Sequence, residues 1–162
     1  MPEGEKRGRI SGASSNPYYE ARKYPEPTVC PRCSLVYRNG RWQSSEGTEG
    51  APSAQRSPCP ACRREVDRLP AGLVFLSGEY LGNHRNEVFN ITKNQASAAA
   101  AQRPLQRIMW IEDSEGSTEI ATTNCHLALK IGRAIERACK GSLTVRRAQD
   151  TELVRVYWRR DE

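Results

Sequence analysis

The sequence lacks any apolar run long enough to cross a membrane. Its longest clean apolar stretch, Ala71 to Leu76, is far shorter than the roughly 20 residues that a membrane-spanning helix needs. The charged segment Met1 to Arg9 is followed by no apolar core of a secretory signal, and the chain carries no lipidation signature. We therefore expect a soluble, cytoplasmic protein in a reducing compartment, without a membrane or a small-molecule substrate among its partners.

Apolar and aromatic residues are scarce, and acidic residues are outnumbered by basic ones. Apolar residues make up 37% of the 162 residues and aromatic residues 7%, which is lean for one large core. The length favours one domain, or one domain with a small module. Lys and Arg exceed Asp and Glu by 25 to 19, so the net charge is +6 and the pI is about 9.2. This excess favours an anionic partner, with nucleic acid first.

Motifs of the common catalytic classes are also missing. The sequence has no Gly-x-x-x-x-Gly-Lys-Ser/Thr loop, no Gly-x-Ser-x-Gly elbow and no His-Glu-x-x-His pair. An acidic group at Glu112, Asp113 and Glu115 falls at a predicted hairpin turn, where charge serves solubility. Because nothing assembles a nucleophile, a base and an oxyanion hole, we expect that the chain is not an enzyme.

What the sequence does have is six cysteines, four of them in two matched pairs. Cys30-Pro-Arg-Cys33 and Cys59-Pro-Ala-Cys62 are separated by 25 residues. A proline after the first cysteine presets a tight turn, so both thiolates of a pair point to one side. Two such knuckles supply four soft ligands in tetrahedral geometry, which favours structural Zn²⁺ with no open catalytic position. Neighbouring arginines can offset the charge of such a centre: Arg32, Arg63 and Arg64.

Two other chemistries of the paired cysteines stay open. A rubredoxin-type iron site uses the same spacing, but it usually has glycine after each pair, where this chain has Ser34 and Arg63. A redox Cys-x-x-Cys motif needs one pair at a helix start after a strand, and does not need two pairs. The lone Cys125 and Cys139 fall at the two ends of a predicted helix, about 21 Å apart, so a disulfide between them is excluded.

Three segments are predicted along the chain, with the fold class α+β. Residues 1–27 form a flexible tail, residues 28–70 a zinc ribbon, and residues 71–162 a ferredoxin-like β-α-β-β-α-β domain with one more strand. Within the ribbon, Asn39-Gly40 predicts a hairpin, because both turn positions need a positive φ. In the third segment we expect strands at 71–77, 107–112, 118–122, 142–147 and 153–158, and helices at 81–101 and 124–140.

A basic stripe runs along the second predicted helix. At 100° per residue its core face separates from an adjacent flank that carries four basic residues. We predict that this flank contacts phosphates, although a solvated helix face has the same pattern. The ribbon hairpin adds Trp42 with Arg41, which can either stack a nucleotide base or close the small core. The predicted nucleic-acid-binding residues are Lys130, Arg133, Arg137, Lys140, Arg146, Arg147, Arg41 and Trp42.

Four features of the chain occur together: Asn16-Pro17-Tyr18, the segment from Tyr24 to Cys30, the doubled Cys-Pro-x-Cys, and the predicted 124–140 helix followed by Gly141-Ser142-Leu143. With these features the chain resembles small bacterial relatives of the nonsense-mediated-decay-three family, whose founding member is the large-subunit export adaptor of archaea and eukaryotes. The resemblance implies zinc at the four paired cysteines and association with the large ribosomal subunit or its RNA.

These observations predict a non-enzymatic, zinc-dependent RNA- or ribosome-binding protein, a ribosome-associated stress or assembly factor. The alternative from another class is a protein–protein adaptor that docks a partner through the ribbon or the tail. A rubredoxin-type iron protein is the third interpretation.

Overall fold

The computed structural model describes residues 24–44, 55–149 and 152–162, and these residues form an α+β fold. They contain two mixed sheets and four helices. This confirms the predicted fold class. The predicted tail up to residue 23 lies outside the described residues. None of the helices in the described ranges is both long and apolar enough to cross a membrane.

The first part of the fold, which we call the metal module, comprises the described residues between 24 and 70. Its four short strands are ordered β3-β2-β1-β4, and a single helix follows them. These elements are β1 (Thr28–Val29), β2 (Val36–Arg38), β3 (Arg41–Gln43), β4 (Gln55–Arg56) and α1 (Pro60–Asp67).

The predicted hairpin turn is confirmed. Asn39 and Gly40 have φ values of 56° and 80°, the positive values that a two-residue turn of this kind requires. Their backbone N–H groups donate to the two carboxylate oxygens of Glu26 at 3.0 and 3.2 Å. Glu26 therefore belongs to this module, although the sequence analysis placed it in the tail.

Helix α1 is an element that the sequence analysis did not predict. Cys59 is its N-cap, with an extended backbone, and Pro60 occupies the first turn, where its missing N–H costs nothing. Arg68 ends the helix in the left-handed conformation. The second cysteine pair thus starts a helix and does not form the second knuckle of a ribbon. The module is a knuckle, a hairpin and a helix.

The second part, the α+β module, comprises residues 71–149 and 152–162. The predicted first helix is interrupted at His84, which is the C-cap of one short helix and the N-cap of the next. The elements are β5 (Gly72–Ser77), α2 (Glu79–Asn83), α3 (Arg85–Gln102), β6 (Ile108–Ser114), β7 (Ser117–Thr122), α4 (Cys125–Cys139), β8 (Ser142–Arg147) and β9 (Val154–Arg159).

The sheet of this module has the order β6-β7-β5-β9-β8. Antiparallel β7 lies between β5 and β6, which are therefore parallel to each other and form a split βαβ unit. The predicted ferredoxin-like order is not confirmed, because β9 pairs in parallel with β5 and leaves β8 at the edge. Burial explains why β9, and not β8, lies next to β5. Val154, Val156 and Trp158 of β9 are buried, while β8 is mostly exposed and polar, as an edge strand should be.

The main core lies between this sheet and α4. Leu127, Ile131 and Ile135 of α4 are fully buried against the sheet. A Cβ atom at Gly132 would lie 2.5 Å from Val156 Cγ1, so this glycine lets α4 approach β9 closely. Helix α3 packs in turn on α4. The apolar face predicted for the second helix is confirmed as the core face, except at Ala138 near its end, which is exposed.

Candidate metal centre

Four cysteine sulfurs converge in the metal module. The Sγ atoms of Cys30, Cys33, Cys59 and Cys62 all lie within 4.8 Å of one another, and those of Cys33 and Cys59 are 3.7 Å apart. A tetrahedral centre with metal–sulfur bonds of about 2.3 Å places its sulfurs about 3.8 Å apart. The cluster therefore needs little adjustment to hold one metal ion. Cys30, Cys59 and Cys62 are buried and Cys33 is half-buried.

Each pair is positioned by its local backbone. In the first pair the N–H of Ser34 donates to the Cys30 carbonyl, and the N–H of Cys30 donates to the Leu35 carbonyl, both at 2.9 Å. Ser34 takes a φ of 70°, which turns the chain back into β2. In the second pair the first turn of α1 aims the N–H of Cys62 at the Cys59 sulfur, 3.4 Å away. N–H donation of this kind stabilises a thiolate.

Arg107, from the linker before β6, is the residue that sequence reasoning missed. One terminal nitrogen of its guanidinium donates to Cys62 Sγ at 3.3 Å, and the other donates to Cys33 Sγ at 3.0 Å and Cys59 Sγ at 3.5 Å. Its Nε donates to the Pro104 carbonyl at 3.1 Å. No local signal predicts this contact, because Arg107 lies 45 residues beyond Cys62.

Of the three arginines next to the ligands that were expected to offset the charge, Arg32 and Arg64 make other contacts. Arg64 is buried, donates to the Leu69 carbonyl at 2.9 Å and pairs with Glu152. Arg32 reaches the Cys62 carbonyl at 3.5 Å and lies 3.8 Å from Glu65. Four thiolates around a divalent cation carry a formal charge of −2, and Arg107 is the cation placed against the sulfurs themselves.

The thiols differ in acidity. Burial opposes ionisation of Cys30, but hydrogen bonds from the backbone of Cys59, Cys33 and Arg32 outweigh it and lower the pKa of Cys30 to about 6. Burial raises the pKa values of Cys59 and Cys62 above the ordinary thiol value, and Arg107 partly opposes it. Burial favours neutral Arg107, but its hydrogen bonds to Cys62 and Cys33 prevail and raise its pKa. A metal ion would replace the remaining thiol protons as it binds.

This arrangement suits a closed structural site. Four sulfur ligands complete a tetrahedron and leave no position for substrate or water. Cys59 does lie at a helix start after a strand, as redox motifs require. However, its raised pKa disfavours the thiolate that thiol–disulfide exchange needs. The structure thus supports metal binding at the predicted cysteines.

The two lone cysteines lie apart from this cluster. Cys125 and Cys139 are the first and last residues of α4. Cys139 is buried in the main core, and burial raises the pKa of its thiol. Neither contributes to a metal-ligand cluster in the described residues.

The four predicted basic residues, which we call the basic flank, are all exposed: Lys130, Arg133, Arg137 and Lys140. The first three belong to α4, and Lys140 directly follows its last residue. They lie outside the buried face of the helix. The two arginines of β8 are also exposed, but they do not extend one surface. In the strand register Arg147 lies opposite buried Val154, on the helix side of the sheet. Arg146 lies opposite Arg155, on the other face.

Trp42 does not serve as a base-stacking surface. It is only 6% exposed and packs edge-on against Tyr24 and Tyr37, with ring centroids 5.1 and 5.6 Å away. It closes the small core of the metal module, which is one of the two roles expected of it. Arg41 remains exposed on β3. The prediction that Trp42 stacks on a nucleotide base is therefore wrong.

No protein family, curated protein or solved structure matches this chain. Membership of the nonsense-mediated-decay-three family therefore stays a prediction.

Proposed function

We propose that the chain is a non-enzymatic, zinc-dependent RNA- or ribosome-binding protein that acts in the cytoplasm. The observation that carries this proposal is the basic flank. Its four side chains are exposed, and none of them forms an ion pair within the described part of the chain. Unpaired cations along one helix flank, in a chain of net charge +6, suit phosphates at helical spacing.

Zinc has a structural role in this proposal. The metal module has a small apolar core around Tyr24, Tyr37 and Trp42, too little to fold unaided. Zn²⁺ bound by the four cysteines would fix the module, and Arg107 would attach it to the α+β module. Iron can occupy the same sulfur ligands, so elemental analysis and the colour of the purified protein distinguish the two metals.

The test of the basic flank is the double substitution Arg133→Glu with Arg137→Glu. We expect weaker binding to purified ribosomes or their RNA, and a shallower dependence of log K on log salt, since fewer counterions are released. The melting temperature should stay close to the wild-type value, because both side chains are exposed. A matched control is Arg38→Glu with Lys93→Glu, the same change of charge at two exposed positions off the flank.

Sedimentation of a lysate asks directly whether the protein travels with ribosomal subunits. Wild-type binding that the flank substitution leaves unchanged in affinity and salt slope would remove the flank from the site. Absence of binding to both ribosomes and RNA would remove the proposed function itself.

A protein–protein adaptor is the second candidate, and one observation favours it. Val66 and Leu69, at the end of α1 and just beyond it, are 64% and 45% exposed, and with Tyr157 they are the exposed large apolar side chains of the described residues. A partner docked there would bind through apolar contacts, so its affinity would change little with salt. A salt titration of the purified complex therefore separates the two candidates.

A further inference from the structure

The sheet of the α+β module has two unlike faces. Val74, Val156 and Trp158 point into the core beneath α4. Because side chains alternate along a strand, the residues between them point to the other side of the sheet. Tyr157 on that side is 37% exposed and Phe75 is half-buried. We call this second surface the open face.

A stacked aromatic pair lies near the middle of the open face. Phe75 of β5 and Tyr157 of β9 are direct partners across the parallel strands. Their ring centroids are 5.0 Å apart and their planes differ by 16°, an offset stack. The sheet thus carries two rings stacked on each other on adjacent strands, and a further ring can stack on the free face of Tyr157, the more exposed of the two.

Positive charge flanks this pair on one side. Arg155 of β9 lies directly opposite Arg146 of β8, and neither has an ion-pair partner among the described residues. Like charges placed opposite each other destabilise a sheet. An anion between them would remove that cost. Arg159, one row beyond Tyr157, adds a third basic side chain, which pairs with Asp161 at 3.0 Å.

The other side of the open face carries two carboxylates, one of which, that of Glu112, is paired with Arg68 at 3.2 Å. Glu119 of β7 lies opposite Phe75 and accepts a hydrogen bond from Trp110 Nε1 at 2.9 Å. Glu112 lies opposite Glu119 on β6. A polyanion would therefore follow the β9–β8 half of the sheet, where the arginines are, with its flat groups turned toward the aromatic pair.

We propose that the open face binds single-stranded RNA, with one base stacked on the Phe75–Tyr157 pair and the adjacent phosphates held by Arg155 and Arg146. Single strands fit because their unstacked bases offer a free face to an aromatic ring, whereas duplex bases are already stacked. This site rests on the proposed RNA-binding function. It lies on the side of the sheet opposite α4, so it is distinct from the basic flank.

The experiment measures binding of fluorescein-labelled oligouridine and oligoadenosine of about 12 nucleotides to the full, metal-loaded chain by anisotropy. Tyr157→Ala removes the more exposed ring and should weaken binding about tenfold or more. Its salt slope should stay unchanged, because no charge is lost. Tyr157→Phe keeps the ring and should bind like wild type. Val66→Ala is the control for loss of an exposed apolar side chain elsewhere.

A second variant keeps the test independent of folding around Tyr157. Arg146→Gln with Arg155→Gln should weaken binding and lower the salt slope, and it should raise thermal stability slightly because it removes the like-charge contact. Photocrosslinking of 4-thiouridine RNA should label β5 or β9.

The outcomes separate the two proposals. If wild type binds ribosomes or RNA but Tyr157→Ala binds as tightly, or the crosslinks map to α4 alone, the open face is not the site and the flank stands. If wild type binds duplex RNA or ribosomes but no single strand, the inference is equally overturned. If wild type binds no nucleic acid and no ribosome, both proposals fall.

Discussion

The metal module and the α+β module are held together in different ways. The α+β module has a continuous core in which Trp158, Ile120 and Leu127 are fully buried. The metal module has a three-ring cluster and four sulfurs in place of such a core. The same chain thus stabilises one part by burying apolar area, and we expect metal–sulfur bonds to stabilise the other. Changes should therefore act on one part without the other.

The largest effect should come from breaking the sulfur cluster. We expect Cys59→Ser to cost the metal module most of its metal-linked folding energy, on the order of 10 kcal/mol in small zinc modules. Residues 24–70 should then exchange their amide hydrogens rapidly while the α+β module keeps its protection. Hydrogen exchange read by mass spectrometry makes this comparison.

The accompanying measurement is elemental analysis of wild type, where we expect one Zn²⁺ per chain. Zero or two metals per chain, or equal loosening of both modules in the Cys59→Ser variant, would contradict separate stabilisation of the two modules by metal and by core burial.

A core substitution should do the reverse. Trp158 is fully buried, and its indole N–H donates to the Lys140 carbonyl at 2.6 Å. Trp158→Ala should lower the free energy of unfolding of the α+β module by about 3–5 kcal/mol, because it leaves a large cavity. Urea unfolding measures the loss. The metal content should remain at the wild-type value, and metal release along with the core defect would show that the modules fold as one unit.

Arg107 joins the two modules, so its substitution sharpens the comparison. Arg107→Met keeps much of the side-chain length but removes the donors to three sulfurs. Loss of such an outer partner should weaken metal affinity about 10- to 100-fold, which competition with a chromophoric chelator can measure. Arg107→Lys keeps the positive charge but not the two guanidinium nitrogens. Its metal affinity should lie between those of wild type and Arg107→Met. Unchanged metal affinity in Arg107→Met would mean that Arg107 only packs against the sulfurs and does not stabilise the bound metal.

The smallest effect should come from the exposed contact between the modules. Arg68 lies 4.0 Å from the Trp110 ring centroid and 3.2 Å from Glu112, with both charged side chains more than half exposed. Arg68→Ala should cost about 0.5–1 kcal/mol or less. Thermal melts at low and high salt measure it. A loss above about 2 kcal/mol would mean that this contact holds the modules together.

Local chemistry explains which parts of the structure could be predicted. The α4 helix, the strand at 142–147 and the Asn39-Gly40 turn follow from periodicity and from residues that prefer positive φ. Helix α1 was not predicted because it has only eight residues, half of which are charged. The helix starts with Cys59 as its cap and Pro60 in its first turn. In the sequence alone the same two residues are equally typical of a knuckle turn.

The sequence by itself identified the four candidate metal ligands, because each Cys-Pro-x-Cys pair turns two soft donors to one side and two such pairs match one tetrahedral site. It also determined the buried and basic sides of α4, because helical spacing separates them. Only the tertiary structure decided that β9 pairs with β5, that Arg107 reaches the sulfurs, and that Phe75 meets Tyr157. The first and third depend on strand pairing between distant segments, and the second depends on how the two modules pack. Spacing along a sequence does not encode which strand or module lies next to which.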